Sequence, residues 1–231
     1  AKTAEIFPHA WKAGAQSTLL RNQLQSTKDG GTVIISMPLT PYRCPPGPYE
    51  RSCLIAHYLK THKPKSKLIL LDANPDVVSK KPLFTKAWST YYKDNFQYIG
   101  GKKVTKADTG AMLVSIEGIE DFKGDVINLI PQQRAGDIAV KAGLVGDDKK
   151  WCPVDAVSFE STKHKGIHVI GDATALPSDG PPMPKSGYSA NSQAKVCAMN
   201  VVNLLNGKET IEFSGINVCY SAISDHESVS I

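Results

Sequence analysis

Apolar positions along this chain follow two periods. Short β-branched runs bounded by turn residues alternate with longer stretches in which apolar residues recur every three or four positions, the mark of strands alternating with amphipathic helices. Thr32-Val33-Ile34-Ile35-Ser36-Met37 follows an Asp29-Gly30 turn and reads as a fully buried parallel strand. A helix is expected from Tyr49 to Lys63, with Leu54, Ile55, Tyr58 and Leu59 on one face and Pro64 as its stop. Lys67-Leu68-Ile69-Leu70-Leu71-Asp72 is the next strand, and Pro82 to Lys93 is an aromatic-rich helix. The region Phe96 to Val126 reads as a small meander, with strands at 96–101 and 112–118, followed by a buried strand closed by Pro131.

The ends read less strongly. Ile6 to Gln25 is expected to be a loop and then a helix capped by Ser17, and Gln133 to Leu144 a short helix stopped by Gly143. Gly166-Ile167-His168-Val169-Ile170 reads as a buried strand that halts at Gly171-Asp172. A long helix over Ser189–Asn206 carries Ala190, Ala194, Cys197 and Ala198 for tight packing beneath a sheet, and Gly207 stops it. Asn217 to Ala222 is expected as a strand, with a loose end after it.

The alternation places the chain in the α/β class. Residues 32–72 form a βαβ unit with an acidic residue at the second strand end, as in dinucleotide-binding domains. Its first turn departs from that pattern. A pyrophosphate cradle needs glycines, but here Pro38, Pro41, Pro45, Pro46 and Pro48 remove donors and fix φ, so NAD(P)H is not an expected ligand. The 231 residues suffice for one large or two modest domains. The net charge of +5 comes from scattered lysines without interleaved aromatics, which argues against a nucleic-acid face. No apolar run reaches membrane-spanning length, so no integral membrane protein is expected, and no secretory signal occurs in this numbering. The histidines lack metal-ligand spacing, so no metal is expected, and without Cys-x-x-Cys-His the chain attaches no haem of its own.

Candidate chemistry gathers at three places. An Asp at a strand end accepts hydrogen bonds from sugar-like hydroxyls, and the first turn of a following helix presents unpaired N–H groups to an electron-rich ring edge. Gly171, Asp172, Lys185, Ser186, Gly187 and Tyr188 are therefore candidates for holding FAD; the competing reading is a core strand ending in a capping Asp. Cys44 and Cys152 both sit beside prolines in non-helical turns. A disulfide there could be opened by a thiolate-type nucleophile, while on spacing alone two cysteines about a hundred residues apart are more often unrelated. Glu50 reads as a helix-dipole partner or a proton-handling carboxylate, and Cys53, Cys197 and Cys219 as small buried hydrophobes.

Four segments in order, Cys44-Pro45-Pro46-Gly47-Pro48-Tyr49-Glu50-Arg51, Asn128 to Gly136, Trp151-Cys152-Pro153-Val154-Asp155 and Met183 to Lys195, resemble the flavoprotein subunit of flavocytochrome c sulfide dehydrogenase and the related Sox-associated flavoprotein. The resemblance runs from about His9 to Tyr220 and implies Rossmann-like FAD/NAD(P)-binding domains of the disulfide-reductase type. It implies further that Cys44 and Cys152 form a redox-active disulfide opened by hydrosulfide. FAD, covalently held through a residue outside this chain, would be reduced, and electrons would pass to a periplasmic c-type cytochrome subunit. The expected division is a remnant of the FAD domain over 1–29, a degenerate NAD-type domain over 30–130, the C-terminal part of the FAD domain over 131–214, and the start of a C-terminal extension over 215–231. The family's Gly-x-Gly-x-x-Gly turn is not in these residues, so its N-terminal Rossmann unit is expected to be missing. Two alternatives stand beside this reading: a quinone acceptor, as in sulfide:quinone oxidoreductases, and a non-catalytic fragment or electron-transfer scaffold.

Overall fold

The computed structural model describes residues 2–116, 120–177 and 183–231. They fall into two compact units, one from the described residues of 1–40, 46–132 and 220–231, the other from 41–45 and 133–219.

In the first unit, α1 (Ala15–Ser26) precedes β1 (Thr32–Met37), α2 (Gly47–His62), β2 (Lys67–Asp72), α3 (Lys81–Tyr91) and β3 (Phe96–Ile99). Then come β4 (Val104–Asp108), β5 (Leu113–Ile116), β6 (Glu120–Lys123) and β7 (Val126–Leu129). The main sheet is parallel in the order β3-β2-β1-β7, with Ile34 opposite both Ile69 and Ile127. β4, β5 and β6 form a separate antiparallel meander. Phe96–Ile99 thus joins the main sheet and not the meander, because its register against Leu68–Leu71 buries its apolar side on β2. Of the strand expected at 112–118, Leu113–Ile116 is observed, and Glu117 and Gly118 lie outside the described residues.

One face of the sheet meets the meander through Ile34, Leu71, Ile127, Val114, Ile116 and Phe122. Tyr49, Ser52, Cys53, Ala56 and Leu59 of α2 are fully buried, and Tyr49, Phe84, Trp88, Phe96 and Tyr98 form an aromatic cluster. Each fully buried large side chain of this kind contributes about 1.5–3 kcal/mol, so Ile34→Ala alone would cost about 2–5 kcal/mol. The first residues are part of this core: Phe7 packs against it, and Arg51 and Asn128 donate to the carbonyls of Pro8, His9 and Ala10. Ser17 does not cap α1. Gly14 does so at φ 97°, and Ser17 lies inside the first turn with its N–H on the Gly14 carbonyl.

The second unit holds α4 (Asp137–Lys141), the two-residue parallel pair β8 (Cys152–Pro153) and β9 (Thr174–Ala175), and α5 (Gly187–Leu205). Gly143 and Gly207 follow α4 and α5 at positive φ, as helix stops. The expected buried strand at 166–170 is corrected here. It is an extended, largely exposed segment tied by one isolated bridge, Glu160 to His168, and Ile167 and Ile170 are 42% and 37% exposed. Among the described residues no strand runs alongside it to bury its apolar faces. α5 is corrected too: its buried stripe is Ser189, Gln193, Cys197 and Asn200, whereas Val202 and Leu205 point outward.

The end of the chain is not loose. β10 (Tyr220–Ala222) and β11 (Ser228–Ser230) pair antiparallel within the first unit, where Tyr92 donates to the Ile223 carbonyl and Lys80 to Ser221 Oγ.

Candidate functional site

The second unit's site grows from a turn that prolines make rigid. Tyr42, buried, donates its hydroxyl to the Pro45 carbonyl over 3.1 Å, closing the loop on itself. Arg43 N–H donates to Gln133 Oε1 and Cys44 N–H to the Lys185 carbonyl, at 2.9 and 2.8 Å. Both main-chain donors that flank the thiol are therefore committed to protein acceptors. Cys44 itself sits at φ 58°, a left-handed conformation costly for a residue with a Cβ. Strain of this kind persists only where its surroundings hold it.

Cys152 is fully buried in β8, paired with Thr174 of β9. Burial pushes its thiol pKa up; the nearby Lys185 ammonium opposes that shift and Asp148 adds to it. No disulfide joins Cys44 to Cys152. Lys185, just before α5, connects the two regions: its carbonyl receives Cys44, and its Nζ donates to the carbonyls of Asp172 and Thr174 at 2.8 and 2.6 Å. The same ammonium lies 3.8 Å from the centre of the Trp151 ring, a cation–π contact. Burial holds its pKa down at about 8, against the opposing pull of Asp172, Cys152 and Asp148.

Gly171-Asp172-Ala173 is a short 3-10 turn. Gly171 takes φ 71°, and its N–H donates to Gln193 Oε1 at 2.6 Å. Asp172 Oδ1 is buried without a hydrogen-bond partner in the protein, and so is the Trp151 indole N–H. Burial raises the Asp172 pKa, with Arg43 and Lys185 pulling the other way. Ser186 caps α5 by accepting the Ser189 N–H, and its hydroxyl also meets Asn217 Oδ1.

A cavity of about 200 Å³ opens here, lined among others by Trp151, Gly171, Lys185, Ser186 and Gln193. Of the residues expected to hold a cofactor, Gly171, Lys185 and Ser186 line it; Asp172, Gly187 and Tyr188 do not, and Tyr188 is 46% exposed. The site nevertheless fits one edge of a flavin. The cavity offers a helix start, an indole wall and a volume below the roughly 300 Å³ at which whole-ligand pockets begin, and the unpartnered carboxylate oxygen of Asp172 belongs to the same 3-10 turn as its lining residue Gly171. Trp151 and Gln193 were not among the expected site residues. Gln193 had one available signal, a long amide on the same helical face as Ser186 and Ser189.

Glu50 is not a residue of the second unit. It belongs to the first unit, in the first turn of α2, where Oε1 accepts the Ala222 N–H of β10 at 2.6 Å. Asp72, at the end of β2, is fully buried and accepts from Tyr49 and Tyr98 hydroxyls and twice from Asn74. The carboxylate that would face a ribose in a dinucleotide-binding domain is consumed inside the protein.

Residues 17–131 match the family described as the central part of the sulfide dehydrogenase [flavocytochrome c] flavoprotein chain. Over 213 residues the chain is 24% identical to the mitochondrial sulfide:quinone oxidoreductase of Schizosaccharomyces pombe, covering 85% of this chain and 43% of that one. Among solved structures, the reduced CoADR-RHD of Bacillus anthracis superposes with TM-score 0.59 at 13% identity over 92% of this chain and 36% of its own. An engineered water-forming NADPH oxidase bound to NADPH gives TM-score 0.58 at 14% identity over 87% of this chain and 42% of its own. The chain thus shares the Rossmann-like α/β fold of these solved structures and spans less than half the length of these relatives.

Proposed function

Because the chain belongs, through residues 17–131, to the flavoprotein family of flavocytochrome c sulfide dehydrogenase, we propose that it is part of a sulfide-oxidising flavoenzyme whose electrons pass to a periplasmic c-type cytochrome. Residues 131–214 are, in this reading, the C-terminal part of its FAD domain. The observation that carries the reading is the attachment of both candidate cysteines to one residue, Cys44 by a main-chain hydrogen bond to Lys185 and Cys152 through the field of its ammonium.

In the oxidised pair, hydrosulfide attacks one sulfur. A new S–S bond forms, the cysteine–cysteine bond breaks, and the products are a persulfide on one residue and a thiolate carrying the electron pair on the other. Asp172 Oδ1 and the start of α5 would hold the ribityl and pyrimidine side of FAD, with the indole of Trp151 closing the cavity wall. A flavin, when bound, supplies a two-electron acceptor that can release electrons singly. Lys185 favours the anionic form of the Cys152 sulfur, and Cys44 is assigned as the flavin-side thiolate because its loop replaces the nucleotide turn. Glu50, bonded to the tail, is left with a structural role.

Replacing Cys44 or Cys152 with Ser in the full-length protein is expected to abolish sulfide-dependent bleaching of the flavin absorbance. Full bleaching in either variant overturns the mechanism. The likeness to a sulfide:quinone oxidoreductase supports a second reading, a quinone acceptor. Faster reduction of a soluble quinone analogue than of cytochrome c would favour it. Among the described residues no helix is long and apolar enough to cross a membrane.

A further inference from the structure

Lys185 carries a feature that holding a flavin edge does not use. Its ammonium is half-buried, and among the described residues no carboxylate lies within ion-pair distance of it. A buried cation without a counter-ion is expensive, and dipoles lower the cost only in part. Here the dipoles are the carbonyls of Asp172 and Thr174 and the face of Trp151. Thr174 is the β9 partner of Cys152, and Trp151 is its chain neighbour. Two of the three contacts that fix the ammonium are therefore to the strand partner and the chain neighbour of Cys152, and its field reaches the thiol. Its own carbonyl, meanwhile, anchors the left-handed Cys44.

We propose that Lys185 is a positioning residue for the cysteine pair, its carbonyl setting the Cys44 turn and its ammonium serving as the counter-charge for a Cys152 thiolate. This rests on the reading that the two cysteines are the redox pair. When Cys152 ionises, its proton passes to solvent and the thiolate meets an ammonium already in place. The charged and titratable groups around the pair are Asp148 on the preceding turn, Asp172 on the 3-10 turn and Arg43 on the proline turn. Asp148 works against the thiolate, and Asp172 holds the lysine protonated. Burial depresses the pKa of Lys185 to about 8, and Asp172, Cys152 and Asp148 pull it back up. The two groups then titrate as a coupled pair, and each apparent midpoint belongs to both.

The test follows Cys152 by the ¹³Cβ shift of labelled cysteine in the reduced full-length protein across a pH series. Lys185→Gln keeps a donor for the two carbonyls and removes the charge, so the Cys152 midpoint is expected to move up by about one pH unit. Lys185→Arg keeps a charge that does not titrate in this range, and its midpoint is expected at or below that of the parent protein. Either variant decides alone if the other does not fold. An unmoved midpoint in Lys185→Gln, or a midpoint raised in Lys185→Arg, overturns the proposal. The titration does not depend on turnover. If the midpoints move as expected while the Cys→Ser variants still oxidise sulfide, the sulfide mechanism fails and the electrostatic role of Lys185 stands.

Discussion

The main-chain N–H of Cys44 donates to the main-chain carbonyl of Lys185 across 2.8 Å, and it does so from a cysteine held at φ 58°. A left-handed residue with a Cβ stores about 1–2 kcal/mol. Cys44→Gly should therefore be more stable than Cys44→Ala by about 1 kcal/mol, even though glycine loosens the unfolded chain. Urea unfolding of the two variants with equal m-values measures the difference. Equal midpoints would mean that the turn is not strained in solution.

The same turn marks how far the sequence could be read. Thr32–Met37 and Lys67–Asp72 were legible as parallel strands because each is apolar on both faces between turn residues, a pattern set by local chemistry. Gly166–Ile170 carried a similar run but is exposed, because a buried strand needs partner strands along its length and the described residues bring only the single bridge from Glu160 to His168 beside it. Helix α5 was located to within two residues, yet the small residues at Ala190, Ala194 and Ala198 drew attention from the buried polar stripe through Gln193 and Asn200. Gln193 and Trp151 belong to the site through contacts far apart in sequence, which no local window reports. The proline turn and the Gly171–Ser186 region were legible because their chemistry sits in contiguous motifs.

Asp72 predicts a pH dependence in the first unit. Burial raises its folded pKa above the ordinary 3.8, with the hydroxyls of Tyr49 and Tyr98 and the N–H groups of Asn74 opposing. A group with a raised folded pKa contributes its stability fully below the unfolded value and loses it as pH climbs through the folded value. The stability of the parent protein relative to the isosteric Asp72→Asn should accordingly fall as pH rises from below the ordinary 3.8 through the raised folded value. Chemical denaturation at a series of pH values reads it, and a flat difference would contradict the burial argument. Tyr98→Phe removes one donor from the buried carboxylate and should cost about 1–3 kcal/mol at neutral pH.

Glu50 and the tail make a separate case. Its carboxylate accepts the Ala222 N–H at 2.6 Å, beside the Tyr92 and Lys80 contacts to the same hairpin. Glu50→Ala should destabilise the first unit by about 1–3 kcal/mol, the cost of hydrogen bonds to a charged group. Glu50→Gln, which retains an acceptor, should recover most of that stability and keep sulfide-dependent flavin reduction. If Glu50→Gln folds normally but loses that reduction, the carboxylate handles protons after all.

Gly171 is where backbone freedom decides the site. At φ 71° a Cβ would sit 3.3 Å from Ala190 Cβ, tighter than ordinary van der Waals contact, and its N–H must keep reaching Gln193 Oε1. Gly171→Ala should cost about 1–2 kcal/mol from the left-handed backbone alone, with the α5 contact added. The double variant Gly171→Ala with Ala190→Gly relieves the steric part and leaves the backbone part. Its stability should therefore fall between those of the parent and the single variant, and flavin retained through gel filtration should rank in the same order. Full recovery in the double variant would show that crowding against α5, and not the turn conformation, fixes glycine at this position.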